Sequence, residues 1–404
     1  MASPLPVAFV HDTNVYGGVE LHVLMLLRYL DTRRYTPAVV VPGYTDIHRS
    51  SPQRFIDETA ALGVPILRPP HPGDQAVVSF LRDVSNLRRL FREHGTRVVH
   101  VHTCRPEGAR KAIIAARLAG VPAVLRSEHV PPSLEMKRHT RTIIKPIDRM
   151  TDYVVVGSEV CREEQIRLLA RDPKKVHLAY YGIELDRFNP EHDVRAAKIK
   201  AGLDPDLPVV GAIGRLAEMK GHTYLIDAAA RIVKEYGPVQ FLIVGDGPLN
   251  QPLKEQVARL GLEKYFHFAG FQANTIPFME ATDIATMPSA LNEGISLAML
   301  EYMAMGKPMV SSDELSFKET VEDGVSGIIV PMRDADGLAE GILTLLRDPE
   351  LAARIAQNGL NRVRDTFNIR WQAENLMSLY DRILGIDTVG ASRGADAELV
   401  SGKS

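Results

Sequence analysis

The sequence is poor in the features that would assign it to several common classes of protein. Its 404 residues include only two cysteines, Cys104 and Cys161, too few for a disulfide framework or a cysteine zinc cluster, which suits a reducing compartment. No apolar run approaches the roughly 20 residues of a membrane-spanning helix, and the run at residues 7–10 is too short for a signal peptide. Acidic and basic residues nearly cancel, with a formal net charge of −2, so no general attraction to nucleic acid is expected. These absences predict a cytoplasmic protein that does not bind nucleic acid.

What the sequence does contain is a regular alternation of short apolar runs and helical patterns. The composition, 45% apolar and 24% charged, is that of a soluble globular protein, and the length allows two domains. Strands are predicted at residues 7–10, 38–41, 64–67, 98–101, 123–125, 153–156, 209–213, 241–244, 266–268, 284–287 and 327–330. Helices are predicted between them, including those at residues 20–30, 54–62, 77–91, 108–119, 141–150, 222–234 and 370–384. This order predicts an α/β fold of parallel sheets with right-handed crossovers.

The alternation is interrupted once, which predicts two domains. Residues 180–208 are polar and rich in turn formers, so we interpret them as an interdomain linker. We place the first domain at residues 1–185 and the second at 186–367, with a disordered tail rich in Gly, Ser and Asp at 386–404. The sequence Asp204-Pro205-Asp206 has the form of a divalent-metal motif but follows no strand, and a turn is the favoured interpretation.

The most informative part of the chain is the stretch at residues 292–307. Glu293 and Glu301, with seven residues between them, flank a turn and the start of a helix predicted near Ser296. The first N–H groups there, which lack partners within the helix, belong to Gly294, Ile295, Ser296 and Leu297. The helix dipole favours an anion at this end, and the flanking carboxylates can accept hydrogen bonds from sugar hydroxyls. The stretch fits a nucleotide-sugar site, although spacing alone fits two solvated glutamates equally well.

Two loops after predicted strands carry groups suited to phosphate. Arg215 and Lys220 follow the strand at 209–213, and two cations there can neutralise a diphosphate. Gly17 and Gly18 open a helix after the first strand, and paired glycines let a phosphate approach the backbone closely. The full G-x-G-x-x-G fingerprint is missing, so a simple tight turn remains an equal alternative.

Three histidines lie at or near predicted strand ends. His100 and His102 face the same side of a strand, but no third metal ligand is near them in sequence, so packing or polar lining is favoured and no metal site is predicted. His129 follows the strand at 123–125, where it could position or polarise a substrate hydroxyl. Position alone favours a structural role for His129 over a functional one.

Residues 137–149 form a basic, partly amphipathic stretch. Such a helix can lie on an anionic membrane or meet a phosphorylated acceptor. A solvated charged face is the favoured interpretation, and peripheral membrane contact is the alternative that stays open.

Taken together, these motifs resemble the retaining GT-B glycosyltransferases of family GT4, the glycosyl transferases group 1, over nearly the whole chain. The strongest are the E-x7-E pair Glu293/Glu301 and the G-R-L-x-x-x-K-G sequence at residues 214–221. The G-D-G-P turn at 245–248 and His129 in S-E-H support them. The resemblance implies two Rossmann-like, doubly wound domains that face each other across a cleft, with the acceptor held mainly by the first and the sugar nucleotide by the second. It also implies that the last helix, residues 368–385, packs on the first domain.

The resemblance also implies roles for individual residues. Arg215 and Lys220 would hold the diphosphate, Glu293 the donor sugar and Glu301 the ribose, and the amides of residues 294–297 would contact sugar and phosphate. His129 would lie near the reacting carbon. Gly17 and Gly18 would lie near the diphosphate and the acceptor, and Phe271 would meet the base through its backbone. The sequence N-E-G-I-S stands where E-G-F-G is frequent in the family, which leaves the identity of the sugar open.

The reaction implied is transfer of a sugar from a UDP- or GDP-linked donor to an acceptor hydroxyl, with retention and without a metal or other cofactor. The acceptor would be a glycan, a lipid-linked molecule or a small molecule. Three alternatives remain: a sugar-nucleotide epimerase, a glucan phosphorylase, for which no pyridoxal phosphate lysine can be identified, and a non-catalytic sugar-nucleotide-binding protein.

Overall fold

The structure, a computed structural model, describes residues 3–11, 17–41, 50–69, 76–104, 108, 110–132, 138–291 and 293–386. It contains two compact units. The first comprises Met1–Gly157, Arg162–Ala179 and Ile369–Ser404, and the second comprises Ser158–Cys161 and Tyr180–Asn368. The predicted tail lies outside the described residues apart from Ile386.

The first unit is built on a seven-stranded parallel sheet. In chain order its strands are β1 Leu5–His11, β2 Tyr35–Val40, β3 Ile66–Leu67, β4 Val98–Thr103, β5 Ala123–Glu128, β6 Tyr153–Val156 and β7 Val176–Leu178. Its helices are α1 Gly18–Tyr29, α2 Ser50–Ala61, α3 Ala76–Glu93, α4 Arg110–Ala119, α5 Arg138–Arg149, most of α6 Glu159–Leu169, and the last helix of the chain, Ile369–Leu384. The spatial strand order is β3-β2-β1-β4-β5-β6-β7, with every pairing parallel.

The second unit repeats this plan with six parallel strands. They are β8 Val209–Ile213, β9 Gln240–Val244, β10 Phe266–Gly270, β11 Ile284–Met287, β12 Met309–Ser312 and β13 Ile328–Val330, in the spatial order β10-β9-β8-β11-β12-β13. Its helices are α7 Val194–Lys200, α8 His222–Tyr236, α9 Asn250–Arg259, α10 Ile276–Glu280, α11 Leu297–Ala304, α12 Leu315–Thr320, α13 Ala335–Arg347 and α14 Pro349–Thr366. The last helix in the chain, which belongs to the first unit, is α15.

Helices cover the second sheet on both faces, which explains why its strands are continuous apolar runs. Along β8, Val209 belongs to one buried cluster and Val210 to another, and Leu242 and Ile243 divide in the same way along β9. Successive side chains of a strand point to opposite faces, so the two clusters are the cores on the two sides of the sheet. The predicted α/β fold with doubly wound parallel sheets is therefore confirmed.

The interpretation of residues 180–208 as a linker was wrong in part. Residues 194–200 form α7, which begins at the N-cap Asp193, whose side chain accepts a hydrogen bond from Ala196 N. Lys198 is buried, with its Nζ 2.6 Å from Asp283 Oδ2 and 2.9 Å from Leu207 O. Asp283 is distant in sequence, so a polar helix that is anchored by a buried lysine resembles a linker when only the local sequence is considered.

The turn predicted at Asp204–Asp206 is confirmed, because Asp206 N donates to Asp204 Oδ1 at 2.9 Å.

Among the described residues, no helix is both long enough and apolar enough to cross a bilayer.

Candidate active site

The strand order of the second unit identifies where a ligand would bind. Strands β8 and β11 are neighbours, but the chain runs outward from them in opposite directions, to β9 on one side and to β12 on the other. In sheets of this kind the ligand lies beyond the carboxyl ends of the strands at this switch point. The loops that leave these two strands carry residues 214–221 and 288–296, which contain most of the predicted site.

A glycine joins these two loops. Gly221 has a φ of +64°, and a Cβ atom at this position would lie only 1.9 Å from the carbonyl oxygen of Pro288. One step away, Ala290 N donates to Met219 O at 2.8 Å. The backbones can approach this closely only because Gly221 has no side chain. The loop that carries Lys220 is thereby held against the loop that carries Glu293.

We expect Gly221→Ala to destabilise the protein much more than Gly261→Ala. Both glycines have φ near +65°, but a Cβ at Gly261 would meet no heavy atom within 4 Å. Gly261→Ala should therefore cost only the left-handed backbone penalty, about 1–2 kcal/mol, whereas Gly221→Ala must also separate the two loops. Urea unfolding of both variants measures the difference. Equal losses would show that the loops are not in close contact.

The two loops bring together two of the predicted site residues. Lys220 Nζ forms an ion pair with Glu293 Oε2, and Ser289 Oγ donates to Glu293 Oε1. Glu293 is 6% exposed, so its carboxylate is held almost entirely by protein groups. The sequence motifs suggested a role for each residue separately, but their direct pairing is a new observation.

Backbone N–H groups without partners lie next to this pair. Helix α11 begins at Leu297 with Ser296 as its N-cap, in agreement with the prediction, and Ser296 Oγ accepts a hydrogen bond from Met299 N. Four amides lie at the start of this helix and in the loop before it, those of Gly294, Ile295, Ser296 and Leu297. No group among the described residues accepts a hydrogen bond from them. Buried backbone donors almost always have a partner, so these amides are suited to bind an anion.

Arg215 and Phe271 lie at the same edge of the sheet. Arg215 is exposed, and its guanidinium has no hydrogen-bond or ion-pair partner among the described residues. The backbone beside it is held firmly, because Leu216 N donates to Asp246 O at 3.0 Å. Phe271 follows β10 and is 60% exposed. Arg215 is therefore available to bind a ligand without first breaking an ion pair.

Glu301 lies within α11, as predicted, and is half-buried. Burial raises the pKa of its carboxyl to about 7. The charge of Arg187 opposes this shift in part, and the charge of Glu184 adds to it. Among the described residues no side chain or amide forms a hydrogen bond with this carboxyl. A carboxyl in this state can both donate and accept hydrogen bonds to a hydroxyl group of a ligand.

Sequence reasoning missed Glu314, which organises the loop that contains Glu293. The Glu314 carboxylate is fully buried and accepts hydrogen bonds from Glu293 N and Phe317 N, both at 3.1 Å. Ser316 Oγ donates to Glu293 O at 3.0 Å. Glu314 is also the N-cap of α12. An acidic residue before a helix signals a cap, but nothing local indicates that it also holds a loop 21 residues earlier.

The pKa of Glu314 leads to a prediction about stability. Burial raises this pKa to about 7, above its ordinary value of 4.5, although hydrogen bonds from backbone amides oppose the shift. Between pH 4.5 and 7 the folded state keeps a proton that the unfolded state releases, so stability decreases as the pH rises. The loss is about 3 kcal/mol at most. We expect Glu314→Gln to flatten this part of the curve of unfolding free energy against pH. Glu301, whose pKa is also raised, is present in both proteins and contributes equally to both curves. An unchanged slope in Glu314→Gln would therefore contradict the raised pKa of Glu314.

In the first unit, the loop before α1 is held by a carboxylate. Gly17 N donates to Glu20 Oε2 at 2.8 Å, and Glu20 Oε1 lies 2.7 Å from His11 Nε2 at the end of β1. Gly17 precedes α1 and Gly18 is its first residue. Residues 12–16 of this loop lie outside the described residues. Glu20 therefore already accepts a hydrogen bond from one of the amides that the sequence offered to a phosphate.

His100 has the structural role that the sequence favoured. Its Nδ1 lies 2.6 Å from Tyr380 Oη and its Nε2 lies 2.8 Å from Ser127 Oγ. Burial lowers its pKa to about 3, so the ring is neutral. His100 is fully buried, so of the two predicted roles, packing and polar lining, the structure shows packing.

His102 differs from the prediction. Its Nδ1 lies 3.1 Å from Nε2 of His129, and His22 on α1 completes a group in which one ring nitrogen from each residue lies within 4.8 Å of the others. The sequence places no third ligand near His102, whereas the fold brings His22 and His129 to it. The three residues are far apart in sequence and meet because β4 and β5 end, and α1 begins, at the same edge of the sheet. Burial and the neighbouring histidines hold the pKa of His129 well below its ordinary value.

The basic stretch forms α5, and Lys137 lies outside the described residues. Ile144 and Ile147 are buried, whereas Lys145 and Arg149 are exposed. The C-terminal half of the helix is thus amphipathic, as predicted, with cations on its solvent side.

Two family models match the chain and together cover most of it. Residues 16–187 match the model described as Glycosyltransferase Family 4, and residues 193–362 match Glycosyl transferases group 1. The α-D-kanosaminyltransferase of Streptomyces kanamyceticus is 31% identical over 77% of this chain and 83% of that protein. The phosphatidyl-myo-inositol mannosyltransferase of Mycobacterium tuberculosis is 28% identical over 93% of this chain and 96% of that protein.

Solved structures show the same fold. Anabaena HepE in complex with UDP is 21% identical, with a TM-score of 0.80 over 94% of this chain and 100% of that one. A glycosyltransferase from Rickettsia africae is 18% identical, with a TM-score of 0.82 over 96% of this chain and 100% of that one. The two parallel-sheet units, the matched family models and these relatives lead to one conclusion: the chain has the GT-B fold and belongs to the GT4 glycosyltransferases, the glycosyl transferases group 1.

Proposed function

We propose that this glycosyltransferase moves a sugar from a UDP- or GDP-linked donor to an acceptor hydroxyl, with retention of anomeric configuration and without a metal ion. The observation that carries the proposal is the group of amides at residues 294–297, which have no hydrogen-bond partner in the described part of the chain and follow the Lys220–Glu293 pair. These groups lie at the switch point of the second unit, where a doubly wound sheet binds nucleotides.

The chemical difficulty in such a transfer is departure of the diphosphate from a sugar carbon that becomes positively charged. Donors that are already in place when negative charge develops lower this barrier most effectively. Arg215, Lys220 and the N-terminus of α11 provide such donors, so protein groups can perform the task that a divalent cation performs elsewhere. The metal independence that we propose rests on this set of donors.

Two carboxyl groups would recognise the sugars of the donor. Glu293, fixed by Ser289 and Lys220, would accept hydrogen bonds from hydroxyls of the transferred sugar. Glu301, whose pKa is raised to about 7, would bind the ribose. Phe271, exposed after β10, would meet the base through its backbone. A bound diphosphate would compete with Glu293 for Lys220, which couples donor binding to the position of that carboxylate.

The first unit would handle the acceptor. Burial and the neighbouring histidines hold the pKa of His129 well below its ordinary value, so its ring is neutral and would position the acceptor by a hydrogen bond with its hydroxyl group. Gly17 and Gly18, at the start of α1, would lie near the acceptor. The relatives named phosphatidyl-myo-inositol mannosyltransferase support a lipid-linked acceptor. With the exposed cations of α5, they also favour peripheral contact with an anionic membrane, from a cytoplasmic location.

The donor is best identified with a thermal-shift panel of UDP- and GDP-linked sugars in the presence of a chelator. Complexes of HepE with UDP and with UDP-glucose support including these ligands. The active donor should raise Tm, and adding an acceptor should then release the matching nucleoside diphosphate. Interconversion of the donor without an acceptor would instead indicate an epimerase, and binding without any release would indicate a non-catalytic protein.

A further inference from the structure

The first unit contains a cluster of three buried histidines that the proposed transfer reaction does not require as a group. His22 lies on α1, His102 on β4 and His129 just after β5. One ring nitrogen of each lies within 4.8 Å of the other two, and all three rings are almost fully buried. The cluster lies at the carboxyl ends of β1, β4 and β5, next to the switch point of the first sheet, which is between β1 and β4.

We propose that His22, His102 and His129 form a binding site for one divalent transition-metal ion of borderline softness, such as Zn²⁺. Imidazole nitrogen is a preferred ligand of such ions, and three histidines with a fourth position left to solvent or to a bound molecule form a well-known type of zinc site. The site is distinct from the diphosphate site of the second unit.

The spacing of the nitrogens fits such an ion. Zn–N bonds of about 2.0–2.1 Å in a tetrahedral site place two ligand nitrogens about 3.3 Å apart. The observed separation between His102 Nδ1 and His129 Nε2 is 3.1 Å. One ring nitrogen of His22 lies within 4.8 Å of a ring nitrogen of each of the other two residues, so the third ring has to move closer to complete the site.

One ligand has a supporting contact of the kind that metal-binding histidines usually have. His22 Nε2 lies 3.0 Å from the side-chain oxygen of Gln372 on α15. If Nε2 donates its proton to Gln372 Oε1, the other ring nitrogen is left as the ligand, and the ring orientation is fixed. By contrast, Nε2 of His102 has no hydrogen-bond partner among the described residues, so packing around the cluster leaves a buried polar atom unused.

Occupation of the site would have a functional consequence, which rests on the proposed function. A bound ion takes the lone pair of His129, which is the group we assign to the acceptor. Zn²⁺ should therefore inhibit transfer. The binding itself does not depend on that assignment and is measured without any sugar substrate.

The test uses the full chain without a polyhistidine tag, stripped of metal with a chelator, loaded with Zn²⁺ and passed through gel filtration. We expect elemental analysis to find a single equivalent of zinc per chain in the wild type. His102→Ala and His22→Ala should retain none. His94→Gln is the matched control, since His94 lies in the same unit but outside the cluster, 3.2 Å from Thr96 Oγ1, and it should bind as the wild type does.

A further variant distinguishes the loss of a metal ligand from misfolding of His102→Ala and His22→Ala. Gln372→Leu keeps all three ligands and should weaken Zn²⁺ binding about 10–100-fold, with circular dichroism unchanged. Co²⁺ gives an independent reading, because tetrahedral Co²⁺ absorbs visible light strongly. Failure of the wild type to retain zinc, or equal retention by His102→Ala, would overturn the proposal. Zinc binding without inhibition of transfer would contradict the role of His129 and leave the metal site intact.

Discussion

Arg215→Ala is expected to lower kcat/KM about 10²–10³-fold, the usual cost of losing one preorganised donor to a developing negative charge. The stability of the protein should not change. Arg215 is exposed, and among the described residues its guanidinium has no partner that its removal would leave unpaired. Steady-state kinetics with the identified donor, together with Tm, measure both quantities.

Arg259→Ala is the matched control for this experiment. Arg259 is an exposed arginine of the same unit at the end of α9, likewise without an ion-pair partner among the described residues. Its removal should leave kcat/KM within about twofold, because its charge is not at the switch point. Arg215→Lys should recover part of the lost rate, since lysine supplies the charge without the planar fork. Equal kinetics of Arg215→Ala and Arg259→Ala would exclude Arg215 from the site.

Lys220→Ala should have an even larger effect and should abolish transfer. It removes a cation from the diphosphate site and also leaves the Glu293 carboxylate, 6% exposed, without its ion-pair partner. Breaking a buried pair from one side costs up to about 3–5 kcal/mol, and the partial exposure of Lys220 places this case toward the lower value. Both turnover and the free energy of unfolding should therefore decrease.

A double variant separates the two effects. Lys220→Met combined with Glu293→Gln removes both charges, so no unpaired carboxylate remains, and most of the lost stability should return. Activity should not return, because the diphosphate still lacks its cation and the donor sugar its carboxylate. If the stable double variant retains wild-type turnover, then Lys220 and Glu293 form only a structural ion pair.

Much of the fold and the centre of the candidate site could be predicted because they depend on local patterns. The strands are buried on both faces and therefore appear as continuous apolar runs, as at residues 209–213 and 284–287. Ser296 is a good N-cap, and Gly306 with a φ of +65° ends α11, so both ends of this helix could be recognised in the sequence. The amides at its N-terminus then follow from helix geometry alone.

The features that could not be predicted depend on tertiary contacts. Glu314 is a conventional helix cap in the sequence, and only the fold places it against the amide of Glu293. His22 and His129 lie close to His102, but they come from other elements of the first unit. Helix α7 was hidden by its polar composition: it buries Ala197 and Lys198, and Lys198 pairs with Asp283, which is distant in sequence.

The central claim is that the switch point of the second unit binds the diphosphate of a nucleotide sugar through protein groups alone. Isothermal titration of UDP and of GDP into the wild type, Arg215→Ala and Lys220→Ala, with a chelator present, tests it most directly. We expect one of the two nucleotides to bind the wild type without metal, and each substitution to weaken that binding at least tenfold. If neither nucleotide binds the wild type, or if both variants bind as tightly as it does, the claim is contradicted.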